Sequence, residues 1–100
     1  MIKHVVMWKL KNFAEGASKE ENALLVKSKL EALKKKIKGI KVLEVGFNIN
    51  KSPSSYDVVL YAEFENMEDL NRYKTHHEHK KVGDFVGKVR IERKSVDYET

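Results

Sequence analysis

The chain has 100 residues, 41% of them hydrophobic, and a formal net charge of +5; it contains no cysteine. This length predicts one domain, residues 1–100, with room for one hydrophobic core. The lack of cysteine excludes disulfides, thiolate metal sites and cysteine nucleophiles. No apolar segment approaches the roughly 18 residues of a membrane span, and lysines interrupt the N-terminal segment, unlike a signal peptide. We therefore expect a soluble cytoplasmic protein that does not enter a membrane.

The positive charge raises the question of nucleic acid, because lysines cluster between residues 34 and 41. These lysines fall at the end of a predicted helix, where cations interact favourably with the helix dipole. No aromatic RNA-binding motif, zinc-finger spacing or glycine-lysine loop accompanies them. We therefore expect no nucleic-acid partner.

The first part of the chain predicts a strand followed by a helix. Residues 2–11 alternate between a mostly apolar face and a lysine-containing face, which is the period of a strand. Ser18 and Glu21 have the spacing of a capping box, which marks a helix start. The apolar stripe of this helix consists of Val26, Leu30, Leu33 and Ile37. Gly39 then predicts a helix end near Lys38.

Two strands joined by a loop are predicted next. Residues 42–49 have strand character, and residues 56–64 show the strongest alternation in the chain. The polar segment 50–55 between them contains the only proline and predicts a loop. We expect residues 56–64 to form a central strand.

The last third of the chain predicts helices and a final strand. Asn66 is a helix cap followed by acidic residues. The expected inward face of this helix consists of Met67, Leu70 and Tyr73 or Lys74. Helical spacing continues in four apolar residues, Val82, Phe85, Val86 and Val89. Gly83 and Gly87 weaken that second helical pattern, and a strand is expected at about residues 93–98.

The predicted order of strand, helix, strand, strand, helix, strand matches the ferredoxin-like βαββαβ plan of the α+β class, a four-stranded antiparallel sheet with both helices on one face. The other face would stay uncovered, although the two middle strands carry apolar residues on both faces. The sheet of a second copy is the economical cover for that surface. We therefore predict a homodimer in which two sheets close into an α/β barrel.

Three of the four histidines follow Tyr73 closely, at positions 76, 77 and 79. Histidine has an unperturbed pKa of about 6.5, so this cluster is a candidate for acid–base chemistry or metal binding. On a continuous helix Tyr73 and His79 would point about 120° apart, so they converge only if the helix breaks between them.

A zinc site normally needs three or four ligands, and His4 would have to join His76 and His79. We therefore predict no metal. The chain also lacks a phosphate loop and a dinucleotide fingerprint, and no residue argues for haem or flavin, so we predict no cofactor.

The residues alone leave two interpretations open for the inner histidines. His4 shares a strand face with Val6 and Trp8, so it is either a hydrogen-bonded core histidine or a contact to His79 or a ligand. His79 either binds a backbone carbonyl at a helix end or lines a pocket. His77 is expected to face solvent.

Several segments in this order resemble the stress-responsive dimeric α/β-barrel (Dabb) family. They are His4–Lys11, Tyr61–Asn66, Tyr73–His79 with Val82–Phe85, and Val96–Tyr98. The resemblance spans essentially the whole chain and implies a ferredoxin-like protomer in a barrel-forming homodimer. Family members commonly have His-Pro-x-His where this chain has His76 to His79, so the proline that helps to set the bend after the second helix is absent.

The family includes the plant polyketide cyclase olivetolic acid cyclase, which uses a tyrosine and a histidine of this segment. They correspond to Tyr73 and His79, and an early strand histidine corresponds to His4. The resemblance thus implies that His79 is a catalytic general base for a proton next to a carbonyl and that Tyr73 hydrogen-bonds the enolate oxygen.

The residues expected to bind a small apolar, polyketide-like carbonyl compound are His4, Trp8, His76 and Phe85. Two functions stay open. One is a cyclase- or lyase-like enzyme, for which we expect a shaped apolar cavity where Tyr73 and His79 approach His4 within hydrogen-bond reach. The other is a non-catalytic dimeric module that binds a ligand or a partner protein, because one fold hosts unrelated functions.

Overall fold

The computed structural model describes residues 1–100 and contains a four-stranded antiparallel sheet with helices on one face. In chain order the elements are β1 (Ile2–Leu10), β2 (Phe13–Ala14), β3 (Ala17–Ser18), α1 (Lys19–Glu31), α2 (Leu33–Lys36), β4 (Ile40–Phe47), β5 (Val58–Phe64), α3 (Met67–Thr75), α4 (His77–Val89) and β6 (Arg90–Glu99). The main sheet has the order β4-β5-β1-β6, and β2 and β3 form a small separate hairpin. This confirms the predicted ferredoxin-like α+β fold, and β5 is a central strand as expected.

Alternation along β1 determines which side chains meet the helices. Its even-numbered residues are buried, namely Ile2, His4, Val6, Trp8 and Leu10. Directly opposed residues of an antiparallel pair lie on the same face of the sheet. His4 is opposite Ala62 of β5 and Asp97 of β6, so the side chain of Asp97 lies on the helix-covered side.

The first helix begins as predicted but ends earlier. Ser18 and Glu21 form a complete capping box. Helix α1 stops before Ala32, and the following short helix α2 ends at Lys36 rather than near Lys38. The helix ends there because Ile37 is extended, with φ −121° and ψ 125°. The apolar stripe still packs in the core, and its members are Val26, Leu30, Leu33 and Ile37.

Helix α4 and strand β6 also differ from the predicted bounds. Gly83 and Gly87 do not interrupt α4, because Val82, Val86 and Val89 bury its inner face against the core. Strand β6 begins at Arg90, directly after the helix, instead of at residue 93.

Three large apolar residues near the ends of helices and strands are exposed. Met67, expected on the inward face of the second helix, is 47% exposed because it is the first residue of α3 and lies outside the buried Leu70–Tyr73 face. Phe47 and Ile49 lie at and beyond the end of β4, and Ile49 is 98% exposed. No helix of the protein has the length and apolar character needed to cross a bilayer.

Candidate active site

The break between α3 and α4 lies at His76. This residue ends one helix and caps the next, with φ −66° and ψ 138°. Its Nδ1 accepts a hydrogen bond from the backbone N–H of Glu78 at 3.0 Å, which satisfies one of the donors left free at a helix start. The bend therefore forms without proline, because a histidine side chain stabilises the start of α4.

This bend brings together the residues that a continuous helix would separate. The rings of Tyr73 and His79 meet edge to face with their centroids 4.5 Å apart. The ring centroids of His4 and Tyr73 are 6.0 Å apart, and those of Phe64 and Tyr73 are 5.2 Å apart. The three rings therefore converge, but Tyr73 and His79 form no hydrogen bond to His4, which differs from the contact expected for an enzyme.

A cavity of about 180 Å³ lies beside this trio. Trp8 lines it, as expected, and apolar side chains of the sheet and of α4 form most of its wall. His76 and Phe85, which we expected in the pocket, lie outside it. The ring nitrogen of His76 caps α4, and the ring of Phe85 packs under the ammonium group of Lys29 at 5.0 Å. The side chain of His77 is 76% exposed, so it faces solvent as expected.

His4 is 3% exposed and is held by a carboxylate. Its Nδ1 lies 2.5 Å from Oδ1 of Asp97, and Oδ2 of Asp97 accepts a hydrogen bond from Lys74 at 3.0 Å. A neutral imidazole that donates through Nδ1 keeps an unprotonated Nε2. Asp97 therefore orients the His4 ring and leaves its second nitrogen free to accept a proton or a hydrogen bond from a ligand.

Burial sets the protonation of the three rings. It lowers the pKa of His4, and the hydrogen bond to Asp97 only partly opposes this effect. Burial also lowers the pKa of His79, the charge of Arg93 and a protonated His4 would lower it further, and a hydrogen bond to the backbone of Lys74 only partly opposes this. Burial raises the pKa of the Tyr73 hydroxyl well above its usual range. Near neutral pH the two histidines are therefore unprotonated acceptors and the tyrosine is a proton-bearing donor.

The Tyr73 hydroxyl has no hydrogen-bond partner within the chain, although Tyr73 is only 1% exposed. The only fully enclosed side-chain polar atom without a partner is Oδ1 of Asn22. The hydroxyl oxygen of Tyr73 therefore keeps an accessible surface, which it shares with the cavity that Tyr73 lines. A ligand oxygen there would meet an unused donor.

A larger, open groove of about 790 Å³ lies at the other end of the sheet, lined by residues such as Lys19, Phe47 and Asp57. The carboxylate of Asp57 is already bound to the backbone N–H of Leu10 at 2.7 Å and to Lys19 at 3.5 Å. None of the three converging rings lines this groove, whereas all three line the smaller cavity. No three residues of metal-ligating type are grouped so that they could hold a metal ion.

Sequence reasoning missed four charged residues of the site, namely Lys74 as a partner of Asp97, Asp97 itself, Arg90 and Arg93. Alternation along the last strand would have placed Arg93 and Asp97 on one face. The strand register was needed to show that this face meets His4.

Comparison with known proteins identifies the family. The family model for the stress-responsive A/B barrel domain, Dabb, matches residues 2–100. No curated protein matches the chain. A dimeric protein of unknown function with a ferredoxin-like fold from Bacteroides fragilis NCTC 9343 is 36% identical, with a TM-score of 0.80 over 99% of this chain and 95% of that chain.

Two further structures extend the comparison. A Dabb family protein with a ferredoxin-like fold from Mesorhizobium loti is 25% identical, with a TM-score of 0.72 over 99% of this chain and 95% of that chain. A hydroxynitrile lyase from Passiflora edulis is 10% identical and shares the fold, with a TM-score of 0.81 over 97% of this chain and 90% of that chain. Because the family match spans nearly the whole sequence, the chain belongs to the Dabb family of stress-responsive A/B barrel domains.

Proposed function

We propose that the cavity beside His4, Tyr73 and His79 is the active site of a cyclase- or lyase-like enzyme that moves a proton next to the carbonyl group of a small compound. The observation that carries this proposal is the 4.5 Å approach of Tyr73 and His79 across the helix break. A base and a hydroxyl donor thereby face one cavity from two different helices.

His79 is the general base of the proposed reaction. Its lowered pKa keeps a ring nitrogen unprotonated near neutral pH. The carbon–hydrogen bond next to the carbonyl breaks, the proton moves to that nitrogen, and the electron pair delocalises onto the carbonyl oxygen. Tyr73 donates its hydroxyl hydrogen bond to this oxygen as negative charge develops there.

The enolate then has two routes that return the proton. It takes the proton back from His79 at carbon, or its carbon attacks a second carbonyl of the same molecule and the proton goes to the new alkoxide. The second route closes a ring by an aldol reaction, which is the cyclase form of the proposal. His4 contributes its free Nε2 as a contact to the substrate.

The cavity volume bounds the size of the substrate. About 180 Å³ is small compared with the roughly 300–1,000 Å³ of most ligand pockets. We therefore propose a short carbonyl compound rather than a long polyketide chain. The fold shared with the Passiflora hydroxynitrile lyase supports the idea that this scaffold accommodates lyase chemistry on small molecules.

The test is deuterium exchange into a small ketone in heavy water, followed by NMR. Levulinate and levulinamide are suitable probes, because both carry exchangeable hydrogens next to a ketone. We expect His79→Gln to slow enzyme-dependent exchange by about 10²–10⁴-fold, the usual contribution of a general base. We also expect Tyr73→Phe to slow exchange by about 10²-fold, as loss of one oxyanion donor does.

The matched control is His77→Gln, which removes an exposed histidine two residues from the base. It should leave the exchange rate unchanged. Equal losses in His77→Gln and His79→Gln would contradict the assignment of the base. Binding of the probes without any exchange in the wild type would instead favour the non-catalytic ligand-binding module.

We also propose that the chain acts as a homodimer. The sheet face opposite the helices carries apolar side chains that nothing in the protomer covers, among them Met7, Val59 and Val96. Burial of such a face against a second sheet would remove it from water. The related Bacteroides protein is described as dimeric, which supports this proposal.

A further inference from the structure

Two arginines at the cavity lack a carboxylate partner. Arg90 and Arg93 of β6 both line the cavity beside His4, Tyr73 and His79. Neither takes part in any ion pair of the chain. The one side-chain hydrogen bond of Arg93 runs from Nη1 to Oγ of Ser95 at 3.4 Å, which is long. Most of the donors of both guanidinium groups are therefore unused.

The strand register explains why Arg93 lies at this site. Arg93 is opposite Trp8, and Asp97 is opposite His4, on the same two strands. Both β6 side chains therefore lie on the helix-covered face, four residues apart. The charge of Arg93 lowers the pKa values of His4 and His79, as expected of a cation close to both rings.

The charges around the cavity do not balance. Lys74 and the two arginines are cations, whereas Asp97 is the single carboxylate among these groups. Asp97 is already bound to His4 and to Lys74. Since both histidines are neutral near pH 7, two positive charges are left without a counterion at the cavity, where Arg90 is half-buried and Arg93 is exposed to solvent, and this favours an anionic ligand.

We propose that the substrate of this cavity carries a carboxylate, which Arg93 binds with help from Arg90 while the substrate's carbonyl group faces Tyr73 and His79. The carbonyl half of this assignment rests on the proposed function; the carboxylate half does not. The planar guanidinium group presents a fork of donors that matches the two oxygens of a carboxylate. A short oxo acid is the compound class that fits both the charge and the volume.

The experiment compares levulinate with levulinamide, which share a carbon skeleton and differ in the charge of one group. Binding is measured by titration while the ring resonances of His4 and His79 are followed by NMR. We expect levulinate to bind at least about tenfold more tightly than levulinamide, as one charge-assisted contact would provide. Arg93→Gln should remove this preference, and Arg93→Lys should keep part of it, because lysine keeps the charge but not the fork.

Lys35→Gln is the matched control, since it removes one exposed positive charge from α2. The side chain of Lys35 does not line the cavity. It should leave the preference for levulinate unchanged. Equal binding of the two probes by the wild type, or equal effects of Arg93→Gln and Lys35→Gln, would overturn the proposal. Displacement of levulinate by inorganic phosphate more readily than by acetate would overturn the carboxylate assignment in favour of a phosphate site.

The same binding experiment in the His79→Gln variant separates this proposal from the proposed function. The charge preference should persist there even though deuterium exchange is lost. A preference without exchange in the wild type would refute only the enzyme, whereas exchange without a preference would refute only the carboxylate. Thermal melting of Arg93→Gln verifies that the variant is folded.

Discussion

Asp97 holds His4 across the sheet, with Nδ1 and Oδ1 2.5 Å apart although the residues are 93 positions apart in the chain. The two residues are directly opposite each other on β1 and β6. Lys74 of α3 binds the second oxygen of the same carboxylate at 3.0 Å. One carboxylate thus connects two strands and a helix beside the cavity, and it fixes which nitrogen of His4 a ligand can meet.

Replacement of Asp97 should change the titration of His4. Asp97→Asn removes the carboxylate that raises the pKa of His4, so burial should then lower that pKa further. We expect the loss of a hydrogen bond to a charged group to cost about 1.5 kcal/mol of unfolding free energy. An NMR pH titration of the His4 ring and urea unfolding measure the two effects. In Glu99→Gln, an exposed carboxylate of the same strand, His4 should titrate as in the wild type, and an unchanged His4 in Asp97→Asn would refute the assigned contact.

Acidification should destabilise the fold below the ordinary histidine pKa. The pKa values of His4 and His79 lie below 6.5 in the folded state, so the unfolded state binds more protons between 6.5 and those lower values. The stabilisation from the two neutral rings is fully present above pH 6.5 and is lost as the pH falls through this window. Burial raises the pKa of Asp97, but its hydrogen bonds to His4 and Lys74 outweigh this and keep it below 3.8, which adds a second loss at lower pH.

Urea unfolding as a function of pH tests this dependence. The unfolding free energy should decrease between pH values of about 7 and 5. His79→Gln should flatten the decrease, because it removes one of the two groups that titrate, and His77→Gln should follow the wild type. A stability that rises on acidification over this range would contradict the direction of both pKa shifts.

Proline at position 77 should stabilise the bend between α3 and α4. Position 77 is the first residue of α4, where proline fits because no helical hydrogen bond needs its N–H. His76 is already extended, with ψ 138°, which is the conformation that a following proline requires. His77→Pro should therefore raise the unfolding free energy by about 0.4–1 kcal/mol, because proline lowers the conformational entropy of the unfolded chain.

The control for this change lies three residues further along α4. The N–H of Lys80 donates to the carbonyl oxygen of His76 at 3.0 Å, so Lys80→Pro should destabilise the protein by about 3 kcal/mol. Thermal or urea unfolding measures both variants. Destabilisation by His77→Pro would show that the bend is not preorganised for proline.

These residues show how far the sequence predicts the structure. The fold was predicted from local patterns of burial and capping. These patterns are the alternation of β1, the capping box at Ser18 and the apolar stripe that begins at Val26. The convergence of Tyr73 and His79 was predicted on condition of a helix break, and the break occurs at His76.

The charged part of the site could not be predicted in the same way. The contact from Asp97 to His4 depends on the pairing of β6 with β1, and the arginines reach the cavity through the same register. The cap formed by His76 was also missed, because histidine is not among the usual N-cap residues. Long-range pairing and unusual capping leave weak local signals in a single sequence.

Two glycines should respond in opposite directions to alanine. Gly39 has φ +95°, and an added Cβ would lie 3.1 Å from Cγ of Asp69. Gly39→Ala should therefore cost roughly 1–2 kcal/mol, from the left-handed backbone alone. Gly87 lies inside α4 with nothing within 4 Å of an added Cβ, so Gly87→Ala should stabilise the protein by about 0.5–1 kcal/mol. Thermal unfolding of the pair measures both effects, and equal signs would contradict the backbone assignment at one of the two positions.

A charge on the uncovered sheet face should dissociate the proposed dimer. Val59 lies in the central strand β5, opposite Met7 on β1 and Gly46 on β4, so its side chain is at the middle of that face. Val59→Glu would place a carboxylate in an apolar contact between two sheets, which costs far more than a charge in water. Sedimentation should give a dimer for the wild type and a monomer for Val59→Glu. Met67→Glu, an equally apolar residue exposed on α3, should stay dimeric; a monomeric wild type, or dissociation by both variants, would contradict the assignment of this face.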